Sequence, residues 1–318
     1  MLGIPASNDL SAIEKLQPGG VVLMGRNAGT PAETRRFTRA INAVCHEAPL
    51  IATDQEGGRV QRFTEGFTRI PSARELGAQG AGAVKLMAAI VAAELRASGI
   101  SVDFAPVCDV PTHPDDTVIG GRAFSDDPIR AALLAAEWIR GMQPSVMCVA
   151  KHFPGHGGVG VDSHQGLPTF QNSAGQSTLE VLRATHLPPF RAALAAGSGG
   201  MMIGHIAFPE LEPSGDPATL SAAIVTDLLR EELRFRGLVF TDDLEMGALK
   251  HLDAGDIAVR AIGAGCDMLL FCHSSDKAAQ AIEAIERALR DNVLSGERVA
   301  DAIERVRWAK RKFGVLAA

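Results

Sequence analysis

The stretch Lys151-His152-Phe153-Pro154-Gly155-His156-Gly157, followed by Asp162-Ser163-His164, gathers a lysine, three histidines and an aspartate among glycines. A hydrophobic core has no use for that composition, so it marks a seat of chemistry. An imidazole titrates near pH 6.5, which suits proton transfer close to neutrality. In an extended segment residues i and i+2 point to the same side. Asp162 could therefore hydrogen-bond the His164 ring, fix its tautomer and support its protonated form. The plainer alternative is that the two only shape a turn. His152, His156, Asp162 and His164 could also supply zinc ligands, but the spacing matches no zinc motif and Lys151 beside them would repel a cation. No metal and no cofactor is expected. A phosphate-cradling loop is set aside too, because no lysine-Ser/Thr pair opens a helix here.

These residues need elements to position them. The apolar run 146–150 leads into Lys151 and His152, so that pair sits on a strand end and is held rigidly. Asp162 and His164 follow Gly155, Gly157, Gly158 and Gly160 and so lie on a loop that can move. Along the chain the same pattern recurs: an apolar run, a polar loop, an amphipathic helix. It predicts strands at 1–4, 20–24, 50–54, 102–106, 147–152, 201–205, 238–242 and 267–271. Helices are predicted at 11–17, 31–45, 83–98, 128–142, 179–196, 222–233, 254–264 and 277–292. Gly99, Gly141, Gly197 and Gly237 are expected as left-handed helix ends. Eight alternating units indicate an α/β fold, a (β/α)8 TIM barrel, rather than an open doubly wound sheet, which would carry a glycine-rich fingerprint after its first strand. With no linker, 1–318 reads as a single domain, closed by a basic helix at 296–313 packing on the barrel. Charged groups repeatedly end the strands: Asp54 with Arg62 following, Asp109 then Arg122, Lys151 and His152, His205, and Asp242 with Asp243. Any one could be a solvated strand end. Together, in a barrel, they converge on the C-terminal face.

Composition narrows the function. The 318 residues carry a formal net charge of −6 without a basic block, which argues against a nucleic-acid partner. The most apolar helix is interrupted by Lys85, Glu94 and Arg96, so no membrane partner is expected. Five scattered cysteines suit reduced thiols, and the start lacks a secretory pattern. A cytoplasmic setting is expected, and the oligomeric state is left open.

The Lys151–Gly157 and Asp162–His164 segments resemble the signature of family 3 glycoside hydrolases, and more narrowly its β-N-acetylglucosaminidase (NagZ-like) branch. Three further segments fit in the family's order: Asp54-Gln55-Glu56-Gly57-Gly58-Arg59-Val60-Gln61-Arg62-Phe63, Ile119-Gly120-Gly121-Arg122-Ala123-Phe124-Ser125-Asp126-Asp127-Pro128, and Phe240-Thr241-Asp242-Asp243-Leu244-Glu245-Met246. Ala123 stands where a serine is common, and the start is shorter than in many relatives. The resemblance implies a (β/α)8 barrel and a retaining double displacement. Asp242 matches the nucleophile, His164 the general acid/base and Asp162 its partner. Asp54, Arg62, Arg122, Lys151 and His152 match positions that hold the sugar, with Lys151 and Arg62 expected to keep Asp242 ionised. Many family 3 β-glucosidases add a second α/β sandwich domain that supplies the acid/base; this chain is expected to lack it and to use the histidine loop. The implied substrate is a carbohydrate, either a GlcNAc-containing muropeptide or a chito-oligosaccharide, cleaved in peptidoglycan recycling. The alternatives are a phosphorylase, since a neutral histidine tolerates phosphate as nucleophile better than a carboxylate does, a β-glucosidase of the same fold, and a non-catalytic sugar-binding barrel.

Overall fold

The computed structural model describes residues 1–112, 118–143, 145–159, 163, 165–170 and 176–316. Its strands are β1 (Leu2–Gly3), β2 (Gly20–Val22), β3 (Leu50–Thr53), β4 (Gln55–Gly57), β5 (Val60–Gln61), β6 (Val102–Asp103), β7 (Met147–Phe153), β8 (Gly200–Ile203), β9 (Leu238–Asp243) and β10 (Met268–Leu270). β4 and β5 form an antiparallel hairpin. The other eight pair in parallel in the order β1-β2-β3-β6-β7-β8-β9-β10. A parallel bridge from Leu2 to Phe271 joins the two edges, with Gly3 N–H to Phe271 O at 2.8 Å and Phe271 N–H to Met1 O at 3.0 Å. The ring closes, and the predicted (β/α)8 TIM barrel is the observed fold.

The period of two along each strand explains the two cores. Leu50, Ala52, Val102, Met147, Val149, Leu238, Phe240 and Met268 share one cluster. Phe104 and Phe240 touch edge-to-face at 5.6 Å although β6 and β9 are not neighbours, so this cluster fills the barrel interior. The alternate residues Ile51, Cys148, Ala150, Met201, Ile203 and Val239 pack outward, in a second cluster with the helices. The helix Gly296–Lys312 closes the floor: Ala309 and Phe313 belong to the interior cluster. Among the described residues, no helix is long and apolar enough to cross a membrane. All five cysteines are free, four of them buried.

Three local expectations are corrected. The predicted helix 179–196 is broken into Thr178–Val181, a π turn at Leu182–His186 and Leu187–Ala195. Pro188 and Pro189 lack the N–H groups that an unbroken α-helix needs at that point, so the turn before them widens. The predicted helix 222–233 is likewise a π-helix, Ala223–Glu232, and it ends through Arg234 at φ 57°. Gly99 and Gly197 do end helices with positive φ, but Gly141 and Gly237 do not. A Cβ on Gly141 would collide with the Lys85 carbonyl oxygen, and one on Gly237 with the Gly199 carbonyl oxygen. Glycine serves there for close backbone approach.

Candidate active site

Most of the strand ends predicted to converge do so around a cavity of about 220 Å³, whereas Asp109 and His205 stand behind its wall, on His152 and on the Asp243 carbonyl. Asp54, Arg62, Arg122, Lys151, His152 and Asp242 all line the cavity. Glu56, His156, Ser163, Asp243, His273, Met24, Met202 and Met246 complete much of the wall.

Two irregularities in the barrel place adjacent residues in this pocket. Between Ala150 and Phe153, β7 gains one residue on β8; between Phe240 and Asp243, β9 gains one on β10. In a regular strand neighbours point to opposite faces. A bulge re-aims a side chain, and here both Lys151 and His152, and both Asp242 and Asp243, line the cavity.

One side of the pocket is an ion cluster. Lys151 Nζ lies 2.7 Å from Asp54 Oδ1 and 2.6 Å from Glu56 Oε1. Arg122 grips Glu56 in a two-pronged fork, Nε to Oε2 and Nη2 to Oε1, each 2.8 Å. Arg62 Nη2 reaches Asp54 Oδ2 at 3.3 Å. Burial pushes the Glu56 carboxyl up, but Lys151 and Arg122 outweigh it and hold Glu56 well below the usual carboxylate range. Burial alone would lower the Lys151 ammonium; Asp54 and Glu56 raise it instead, so it stays charged.

His152 is oriented from behind. Asp109, fully buried, accepts from His152 Nδ1 at 2.7 Å and from the His156 N–H at 2.7 Å. Nδ1 therefore carries a proton, which leaves Nε2 as the ring atom to meet a ligand. His156 Nε2 lies 3.2 Å from Ser163 Oγ, and burial, reinforced by His152, lowers its basicity.

Asp242 stands at the end of β9, its Oδ1 accepting from the Asp243 N–H at 2.8 Å. Burial raises its carboxyl, yet His152, His205, that N–H and Lys151 together hold it below the ordinary value. Arg62, expected beside Lys151 in this role, is paired with Asp54 instead. Asp243 goes the other way: burial, with Glu245 and Asp242 adding like charge, raises it to about 6. Two neighbouring carboxyls thus have their pKa values pushed apart, a signature of divided roles.

Asp162 and His164 lie outside the described residues. Ser163 between them is buried in the cavity wall, and its carbonyl accepts from the Ala248 N–H at 3.0 Å. Among the described residues, no group of three or more His, Cys, Asp or Glu side chains is arranged to hold a metal.

Sequence reading passed over Glu56 as a site residue and weighed His156 only as a possible zinc ligand. It noted Asp109, Asp243 and His205 only as charged strand ends or their neighbours. For Glu56 a signal existed, since it stands two residues from Asp54. Met24, Met202 and Met246 carried none, because an apolar pocket wall looks like core.

The model of the Glycosyl hydrolase family 3 N terminal domain matches residues 4–308. A protein named beta-hexosaminidase from Pseudomonas aeruginosa (strain LESB58) is 40% identical over 286 residues, covering 88% of this chain and 83% of its own. One of the same name from Xanthomonas oryzae pv. oryzae (strain KACC10331 / KXO85) is 37% identical over 313 residues, covering 93% of this chain and 90% of its own. Among solved structures, a glycoside hydrolase family 3 beta-N-acetylglucosaminidase from Paenibacillus sp. str. FPU-7 superposes with a TM-score of 0.94 at 35% identity; all of this chain is matched, and it spans 61% of that one. A beta-N-acetylhexosaminidase from Beutenbergia cavernae DSM 12333 gives 0.89 at 32% identity, covering 98% of this chain and 95% of that one.

Proposed function

The chain belongs to glycoside hydrolase family 3, and on that premise we propose that it is a retaining exo-β-N-acetylglucosaminidase releasing terminal β-linked GlcNAc, with peptidoglycan fragments as its substrates. The observation that carries this reading is Asp242: a carboxylate at a strand end, kept ionised, facing the Lys151–Asp54–Glu56–Arg122 cluster across one small cavity. At about 220 Å³ that cavity falls below the roughly 300–1,000 Å³ of drug-sized sites. That suits one terminal sugar ring and exo action. The names of the relatives support a 2-acetamido sugar as that ring.

In the proposed reaction Asp242 attacks C1 while His164, oriented by Asp162, protonates the departing oxygen. A glycosyl ester to Asp242 forms and the aglycone leaves. His164, now neutral, then takes a proton from water, whose oxygen bonds C1 and frees Asp242. A neutral base suits this pocket. A second carboxylate beside Asp242 would have its pKa raised by repulsion; at Asp243 burial is the main cause of the rise, and the charges of Glu245 and Asp242 add to it. Asp54, Arg62, Arg122, Lys151 and His152 bind the sugar, the first four as donors and acceptors fixed by their own ion pairs. Ser163 in the pocket wall supports placing its neighbours His164 and Asp162 beside the scissile bond.

Turnover of chromogenic β-N-acetylglucosaminide and β-glucoside, with and without phosphate, tests the reading. Hydrolysis of the first with free GlcNAc as product supports it. A preference for glucoside, a sugar 1-phosphate product, or no turnover contradicts it. Replacing His164 by Ala should cost about 10²–10⁴-fold on substrates with poor leaving groups and much less on activated aryl glycosides; equal losses on both would remove the acid role.

A further inference from the structure

We propose that His205 is a positioning residue for the nucleophile: its imidazole takes over from the backbone ladder at the end of β9 and pins the bulge that aims Asp242 into the pocket. This rests on Asp242 as nucleophile. The final register pair between β8 and β9 is Ile203 with Thr241. Asp242 and Asp243 run past it, and on their other side the register with β10 has just slipped. On the β8 side, among the described residues, the chain therefore has no further ladder pair where its two carboxylates must be aimed, while β10 pairs again only at Asp243. His205 fills that gap with a side chain. Its Nε2 lies 3.0 Å from the Asp243 carbonyl oxygen. A carbonyl only accepts, so Nε2 is the donor. On the far side of the ring, Nδ1 lies 2.7 Å from Thr219 Oγ1. That hydroxyl also lies 3.2 Å from the Gly204 carbonyl oxygen. Thr219 sits in the turn Ala218–Leu220, tied down in turn by Ala218 N–H to Ile206 O at 2.8 Å.

Residue 243 is thus gripped twice. Its carbonyl is held by His205, and its N–H donates to Asp242 Oδ1 at 2.8 Å. The two groups belong to successive peptides joined at the Asp243 Cα, so a shift of the held carbonyl carries with it the N–H that orients the Asp242 carboxylate. His205 and Thr219 are fully buried and are absent from the cavity wall, so His205 acts through β9 and not on the sugar. The proximity of His205 to Asp242 also favours the ionised carboxyl.

The test compares His205→Ala and His205→Gln with the unaltered protein. The readouts are kcat and KM on a chromogenic β-N-acetylglucosaminide, the rate of trapping by a fluorinated N-acetylglucosaminyl fluoride, and the thermal melt. A misplacement near 1 Å costs about 10²-fold. We expect a loss of that order in kcat and trapping rate for His205→Ala with KM within threefold, because the sugar-holding residues lie on other strands. Glutamine can return a donor at the Nε2 position and should restore at least tenfold of the loss. A His205→Ala variant that keeps kcat within threefold overturns the proposal. So does a His205→Gln variant that melts like the parent yet is no faster than alanine. Should His205→Ala fail to fold, His205→Asn, too short to reach the Asp243 carbonyl, takes its place against glutamine, and equal rates for the two overturn it. The two readings fail separately. An adduct on a residue other than Asp242 removes the nucleophile assignment, whereas an adduct on Asp242 formed at the parent rate in His205→Ala removes only this one.

Discussion

Glu56 lies between Lys151 and Arg122 with both oxygens engaged and is almost wholly buried. Removing one partner of a buried pair leaves the others uncompensated, which costs about 3–5 kcal/mol. Glu56→Gln should therefore lower stability by that order in denaturant titrations and raise KM, because Lys151 and Arg122 lose the anion that holds both in place. A loss below about 1 kcal/mol would show the cluster to be slack. The sign with pH follows from the depressed carboxyl. Its stabilisation is full above the unfolded value near 4.3 and is lost as pH falls through the lower folded value. Asp103 has the opposite sign. Burial raises its carboxyl to about 7. Its Oδ1 accepts from the Gln55 N–H at 2.9 Å, while Oδ2 has no partner. Ionisation then costs stability, increasingly from about pH 4 up to its folded value, and fully above it. Asp103→Asn should raise the melting temperature at pH 8 and do much less at pH 4.5. An equal change at both pH values would contradict the assignment. Neither role was read from the sequence, although the place of Glu56 two residues from Asp54 was a signal for it. Asp103 sits within a run that reads as plain strand, and Glu56 owes its importance to Arg122, which the chain brings in from 66 positions away.

At the scale of elements, continuous apolar runs made all eight barrel strands legible, because each strand must bury one face inside the ring and the other under helices. The hairpin β4–β5 and the helix Ala73–Ala78 were not predicted. The hairpin strands are too short and too polar to show a period. The two bulges were equally invisible, since a register slip depends on the partner strand. Charged pairs at strand ends, Lys151-His152 and Asp242-Asp243, were their only trace. Glycine roles split on backbone geometry. Gly141 lies within the helix Pro128–Met142 against the Lys85 carbonyl, whereas Gly263 in Ala254–Ala264 has open space around it. Gly141→Ala should destabilise by about 1–3 kcal/mol through overpacking. Gly263→Ala should gain up to about 1 kcal/mol from helix propensity. Thermal melts that rank the two variants the other way would refute this packing account.

The whole molecule divides its labour between two ends of one barrel. The floor is sealed by the last helix, with Phe313 2% exposed in the interior cluster; the opposite end carries the pocket. Phe313→Ala should cost about 3–5 kcal/mol as a large-to-small core change while leaving kcat of the folded fraction within twofold. A fall in kcat without a fall in melting temperature would mean that the ends are coupled. The architecture was legible in outline, and so was the meeting of Asp54, Lys151 and Asp242 at one end of the ring, but the separate role of each came only from resemblance to a family, because a charged strand end looks the same whether it binds, attacks or only meets solvent. In the proposed reaction that convergence serves one carboxylate, Asp242. The most direct measurement is mass spectrometry of the protein after incubation with a fluorinated N-acetylglucosaminyl fluoride, followed by peptide mapping. A single glycosyl adduct on Asp242, absent from Asp242→Asn together with its turnover, is the predicted result. An adduct on Asp243 or elsewhere, or Asp242→Asn that still turns over, would contradict it.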